Sequence, residues 1–380
     1  MEPRVKAASI LVLVEPKGRN MMQLSTVMKG LLDTEWRHNR GYMLVTFILI
    51  IYAPLIKTLL VMLQGDNTLL QWGQELDYAL HFGIGLRRPD HYSGLLEWLP
   101  FVGSVLLGII ILGGEQQSSL KYLVSTPVSR RQIILSKFFT GAATIVLAML
   151  LNVLFLTGLD RLYAMPFNSL EVFNWVLLAG AVCLGYYTLG LMVSTFTGGV
   201  LAAGIMVFLL NMLPGILTAM IENIAVRFFA AGQSVSIQIY TIGSYLSLHD
   251  YITRSGRNIT HVVHYPNYLI TGTAQNASIM PNYQLECGLL ILGVCVLLTL
   301  SVMIFERVSL SAGGSMFLSS RARKAGLVLG ALYIAYILVF SRAESLLGFS
   351  IDMVIVTGLI CIGVEFLYRL QRGGWHVFKR

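Results

Sequence analysis

The residues in this chain that could do chemistry are few, and most sit among apolar neighbours. His261 and His264 are spaced to share a helix face, with His249 and Asp250 a little upstream. That grouping could hold a metal ion, although unligated histidines are the commoner content of polar loops. The chain has no GxxxxGK sequence followed by Ser or Thr, and so no phosphate loop with which to hydrolyse ATP by itself. HExxH, GxSxG and CxxC patterns are also absent, which removes the simple cases for a zinc protease, an esterase-type hydrolase and a thiol redox enzyme. Cys183, Cys287, Cys295 and Cys361 all fall in apolar runs, where small packing residues are the default reading. The expectation is a protein that is not an enzyme and carries no cofactor.

Polar groups inside long apolar runs are better candidates, because an unpaired polar atom is costly in hydrocarbon. Lys57 lies in the outer half of the first such run and can either snorkel to the interface or face a substrate path. Asn152 and Asn211 suit interhelical hydrogen bonds. With Lys57 they form the candidate translocation path.

The elements that would carry these residues are membrane spans. The 380 residues are 56% hydrophobic and 12% charged. Mean hydropathy is +0.71, too apolar for a soluble domain. Runs of about 20 apolar residues occur at 42–63, 95–114, 138–159, 172–195, 200–221, 285–305, 326–340 and 351–368. The fold expected is an all-α polytopic bundle of about eight spans. With the N-terminus inside, nineteen of the 27 Lys and Arg residues fall in inside segments, which places both termini in the cytoplasm. The net charge of +8 is then membrane-side lysine and arginine and no argument for nucleic acid. Before the first span, Leu24, Val27, Met28, Leu31, Leu32 and Trp36 recur at helical spacing opposite Lys29, Asp33, Arg37 and Arg40, so Gln23 to Arg40 reads as an amphipathic helix on the membrane surface. Gly180, Gly185 and Gly190, and Gly326 with Gly330, would let helices approach closely, and Pro214 should bend the fifth span.

Between the second and third runs lies EQQSSLKYLVSTPVSRRQIILSK, residues 115–137. Leu120, Leu123 and Val124 recur at helical spacing, Pro127 stops that helix, and Ser129 can cap a second one starting at Arg130. The result is a helix, a break and a helix held at the membrane face. The order Glu115, Leu120, Leu123, Pro127, Val128, Ser129, Arg130, then Ile133, Ile134 and Lys137 resembles the cytoplasmic loop of ABC-2 type permeases, the membrane subunits of one class of ATP-binding-cassette exporters. Ser118 and Ser119 stand where Gly-Thr is usual.

The resemblance implies a six-span core at 42–305, preceded by the cytoplasmic segment 1–41 with its elbow helix; the two further spans and basic tail at 306–380 exceed the usual six-span pattern. The segment 222–284 is too long for a simple turn and mixes apolar and polar stretches, so it is expected to fold as an external cap or as short re-entrant elements, longer than the resemblance requires. The partners implied are ATP-binding ABC subunits, a second permease chain as homodimer or heterodimer, and membrane lipids. Glu115, Leu120, Leu123, Pro127, Val128, Ser129, Arg130 and Arg131 would couple to the ATPase, with Arg130 and Arg131 facing an acidic groove on it. The setting expected is a bacterial cell membrane. A membrane sensor or assembly protein and a secondary transporter remain as alternatives.

Overall fold

A computed structural model describes residues 21–59, 63, 98–113, 128–163, 169–229, 232–248, 251, 283–308, 320–340 and 345–377. Nine α-helices lie among them: α1 (Met21–Ile51), α2 (Leu99–Gly113), α3 (Arg130–Tyr163), α4 (Ser169–Ser194), α5 (Val200–Phe229), α6 (Gln233–Leu246), α7 (Tyr283–Arg307), α8 (Ser320–Phe340) and α9 (Leu346–Val377). A π-helical stretch, Tyr52–Lys57, continues α1.

Among the described residues five helices are long and apolar enough to cross a membrane, at Arg130–Leu162, Val172–Ser194, Val200–Phe229, Gln284–Arg307 and Leu347–Phe366. Leu99–Gly113 and Lys324–Val339 are shorter apolar helices. Among the described residues all eight apolar runs of the sequence are carried by helix, the first by α1 and its π-helical continuation. The protein is a polytopic helical membrane protein. Its outer surface is apolar, with Leu201, Phe208, Leu292 and Val354 all exposed, as suits helices solvated by lipid.

The hub is α4. Of its apolar window 83% is buried, against 22% for α5 and α7 and 11% for α9. It packs on α2, α3, α5 and α7, most extensively on α2. Two glycines permit that closeness. A Cβ at Gly108 would stand 2.2 Å from the Tyr187 carbonyl oxygen, and one at Gly190 would stand 2.7 Å from the Val105 carbonyl oxygen. Both obstacles are backbone and cannot swing aside. Gly185 meets Leu248, just past α6, and Gly180 is in ordinary contact with Met149, so the glycine stripe of α4 serves close packing as its spacing predicts. Gly330 does not: nothing lies within 4 Å of where its Cβ would be.

Two further expectations need revision. The amphipathic stretch is no separate surface helix but runs unbroken into the first span as α1. Its packed stripe is Leu31, Glu35, Asn39, Met43, Thr46 and Ile50, while Trp36, assigned to the apolar face, is 52% exposed. Of the external loop, α5 continues eight residues past the expected end of the span, and α6 packs back along it. Leu248 and Tyr251 then join the core around α4. Pro214 therefore sits mid-helix, its carbonyl accepting a hydrogen bond from the Thr218 hydroxyl at 2.8 Å.

Candidate functional site

The first two turns of α3 hold the densest polar geometry in the described residues. Helix α3 starts at Arg130, where the sequence places it. The Ser129 hydroxyl accepts the Gln132 backbone N–H at 3.3 Å, and the Gln132 side-chain oxygen accepts the Ser129 N–H at 2.9 Å. This reciprocal capping box satisfies two of the orphan donors at the start of the helix. Instead of a second short helix followed by a span, the structure has one helix of 34 residues that is both.

Arg130 turns towards α7. Its guanidinium donates to the carbonyl oxygens of Phe305, Glu306 and Val308 at 2.9, 3.1 and 2.8 Å, and lies over the Phe305 ring with 6.0 Å to its centroid. Helix α7 ends at Arg307, so these are carbonyls its last turn leaves unpaired, at the negative end of the helix dipole. Arg130 is thus a side-chain cap on another helix. The neighbouring Arg131 pairs with Glu306 on the surface, its Nη2 also 3.4 Å from Oε2. With the arginine side chain 68% exposed, that pair adds little stability.

Two turns further, Lys137 does for α2 what Arg130 does for α7. It is fully buried, and its ammonium donates to the Ile111 carbonyl at 3.0 Å in the last turn of α2. The same ammonium lies 2.9 and 3.0 Å from the two carboxylate oxygens of Glu35, which is only 4% exposed. All three ammonium protons thereby find acceptors. Asn39 donates to Glu35 Oε2 at 3.0 Å, and the Tyr187 hydroxyl donates to the Lys137 carbonyl at 2.7 Å. Four helices, α1 to α4, meet at this pair. Gly141 makes room for Tyr187: a Cβ there would stand 2.3 Å from the ring. A buried ion pair is tolerable only when its remaining hydrogen-bonding capacity is filled, and here it is.

The sequence-selected residues scatter around this junction. Arg130, Arg131, Ser129 and half-buried Val128 belong to it, whereas Glu115, Leu120, Leu123 and Pro127 lie outside the described residues, as do His249, Asp250, His261 and His264. Lys57 closes the π-helical stretch. Asn152 on α3 is buried and its Nδ2 reaches the Ile50 carbonyl at 3.5 Å, a long interhelical bond of the kind expected. Asn211 is on α5, and α4 packs between α3 and α5, so the structure does not bring these two amides together. No group of three metal-binding side chains occurs among the described residues.

Sequence reasoning missed Glu35, Asn39 and Tyr187. A usable signal existed: Leu31, Glu35, Asn39 and Met43 share one row at four-residue spacing, and Lys137 opens an apolar run with no acid of its own nearby.

A bundle with a lipid-like exterior, one buried hub and helix ends held by side-chain caps defines an integral membrane protein. A family model described as ABC-2 family transporter protein matches residues 44–342, and the chain belongs to that family. The match carries past the expected six-span core and takes in α8. The probable ABC transporter permease YtrC of Bacillus subtilis (strain 168) is 25% identical over 210 residues, which cover 53% of this chain and 60% of that relative. The match thus spans less than two thirds of the relative's length. No solved structure matches the chain.

Proposed function

We propose that the chain is the permease subunit of an ABC exporter, powered by ATP that separate subunits hydrolyse. Family membership supports the class. The observation that carries the coupling mechanism is the clamping of both ends of the segment between α2 and α3. Lys137 holds the end of α2 against α3, and Arg130 holds α3 against the end of α7. A push on residues 115–129 from a docked ATPase then cannot splay α2 from α3. It is delivered to α1, α2, α3 and α4 through the charge pair and to α7 through Arg130, and rigid-body tilting of these helices switches access between the two faces.

In this reading Glu115, Leu120, Leu123, Pro127 and Val128 supply the docking surface, and Ser129 fixes where α3 begins. Arg130 transmits the movement, while exposed Arg131 keeps the role of meeting the ATPase. Two permease chains form the pathway, and the segment and both termini face the cytoplasm of a bacterial cell. Asn152 and Asn211 each have a buried amide oxygen with no hydrogen-bond partner among the described residues. A donor on a passing substrate or water would relieve that cost, which supports retaining them, with Lys57, as path residues.

The test is co-purification of the ATPase and ATP-driven transport with Leu120→Asp/Leu123→Asp, measured beside the parent in proteoliposomes. Loss of ATPase capture with unchanged insertion is the expected result. Undiminished capture and transport, or transport driven by an ion gradient without any ATPase, refutes the reading.

A further inference from the structure

Helices α5 and α8 touch near their two ends and stand apart between. At one end a Cβ on Gly326 would stand 3.2 Å from Met206 Cε. At the other, Asn223 donates to the Tyr336 hydroxyl at 2.8 Å, and Met220, Ile224 and Phe228 of α5 pack on the α8–α9 cluster of Ala335, Val339, Phe349 and Met353. Between the two contacts runs a slot walled by Leu209, Leu213, Ile216 and Leu217 of α5 and Leu329 and Tyr333 of α8. Gly330 lines it with open space beyond its Cα. Its lining runs from Met206 to Met220 along α5, about 21 Å at 1.5 Å per residue, and from Gly326 to Tyr333 along α8, about 11 Å.

We propose that this slot holds one acyl chain of an anionic phospholipid, with the headgroup at the first turn of α8. An apolar slot left empty would forfeit dispersion contacts along its walls. A helix of a partner chain, about 10 Å across, cannot enter between two helices that are joined at both ends. A single hydrocarbon chain can: the α8 wall fits within one leaflet's share of a bilayer core about 30 Å thick, and the α5 wall only slightly exceeds it. The sequence supplies charge at that end: α8 begins Ser-Arg-Ala-Arg-Lys, so Arg321, Arg323 and exposed Lys324 come two to five residues before Gly326, which lines that end of the slot. Three basic residues at a membrane surface favour an anionic over a zwitterionic headgroup by about tenfold or more. The lipid would complete the seam that joins the α8–α9 pair to α5.

The experiment uses the full chain purified in detergent, titrated with dioleoyl phosphatidylglycerol or dioleoyl phosphatidylcholine and read by native mass spectrometry. One phosphatidylglycerol per chain should be retained at least tenfold better than phosphatidylcholine. Arg321→Gln/Arg323→Gln/Lys324→Gln should abolish the preference, and Gly330→Leu, which fills open space, should reduce retention of both lipids. A Tyr333→Trp reporter should be quenched by phosphatidylglycerol brominated on its acyl chains. Equal retention of the two lipids by the parent chain overturns the proposal. So does undiminished retention by Gly330→Leu, a Tyr333→Trp fluorescence signal indifferent to brominated chains, or two chains associating through this face without lipid.

Discussion

Replacing Lys137 and Glu35 together should destabilise the protein far less than the sum of replacing each alone. Lys137→Met removes the cation from a carboxylate that is 4% exposed and also uncaps the Ile111 carbonyl. Leaving one partner of a buried ion pair unpaired costs about 3–5 kcal/mol. Glu35→Leu strands the ammonium instead and should cost a similar amount. In the double variant no buried charge remains, and what is lost is one carbonyl cap and the acceptor for Asn39, roughly 1–3 kcal/mol each. The two single costs therefore exceed the double by a coupling free energy on the order of 3 kcal/mol, well above the few tenths by which independent sites depart from additivity. The assay is equilibrium unfolding in mixed micelles, following helicity as denaturing detergent is raised, for the parent, both singles and the double. Singles that each cost under about 1 kcal/mol, or costs that simply add, would mean that water reaches the pair and that the junction is not the rigid base described here.

Gly108→Ala should lower the unfolding temperature sharply, because its Cβ would collide with the Tyr187 backbone oxygen, whereas Gly330→Ala should leave that temperature unchanged; thermal scans of the two side by side decide the matter. Arg130→Gln keeps a donor but cannot span three carbonyls, so amide exchange in the last turn of α7 should quicken while exchange in the middle of α4 does not. Cysteines placed at Ser125 and Gln371 on a Cys-free background should be shielded from an external label and one at Gly256 should react; external labelling at Ser125 would reverse the proposed orientation. ATP hydrolysis should appear only when a partner ATPase is added, and turnover by the rigorously purified chain alone would contradict the permease reading.

Helix positions were legible because apolar length and capping residues are local properties. Ser129 and Gln132 announce the start of α3 wherever that helix packs, and the eight apolar runs needed no knowledge of neighbours. What helix faces contact is not local. Glu35 looks like one more polar residue on an amphipathic helix until Lys137, 102 positions later, is known to lie against it. Amphipathic sorting assigns charges to solvent by rule, so it placed Trp36 inside and had no means of placing Glu35 there. The same limit explains Arg130 and Arg131, which offer charge to any acidic or carbonyl-rich surface. The sequence suggested a groove on a partner and had no means of showing that both also reach the end of α7. Gly326 and Gly330 share a spacing and differ in use, because only the partner helix decides whether a missing Cβ is a contact or a gap.

The spacing of these contacts along the chain also dictates an order of assembly. At synthesis rates of about 5–20 residues per second, Glu35 emerges roughly 5–20 seconds before Lys137. Through that interval its carboxylate lacks the Lys137 ammonium, and the cost of burying it alone favours keeping the N-terminal half of α1 in contact with water. Arrival of α3 lets that half settle. The Arg130 cap must wait longer, since the carbonyls it needs lie about 175 residues further on. The nascent chain therefore closes its base twice, first around a charge pair and then around a helix end, and a variant that loses only the second closure should still pass the first.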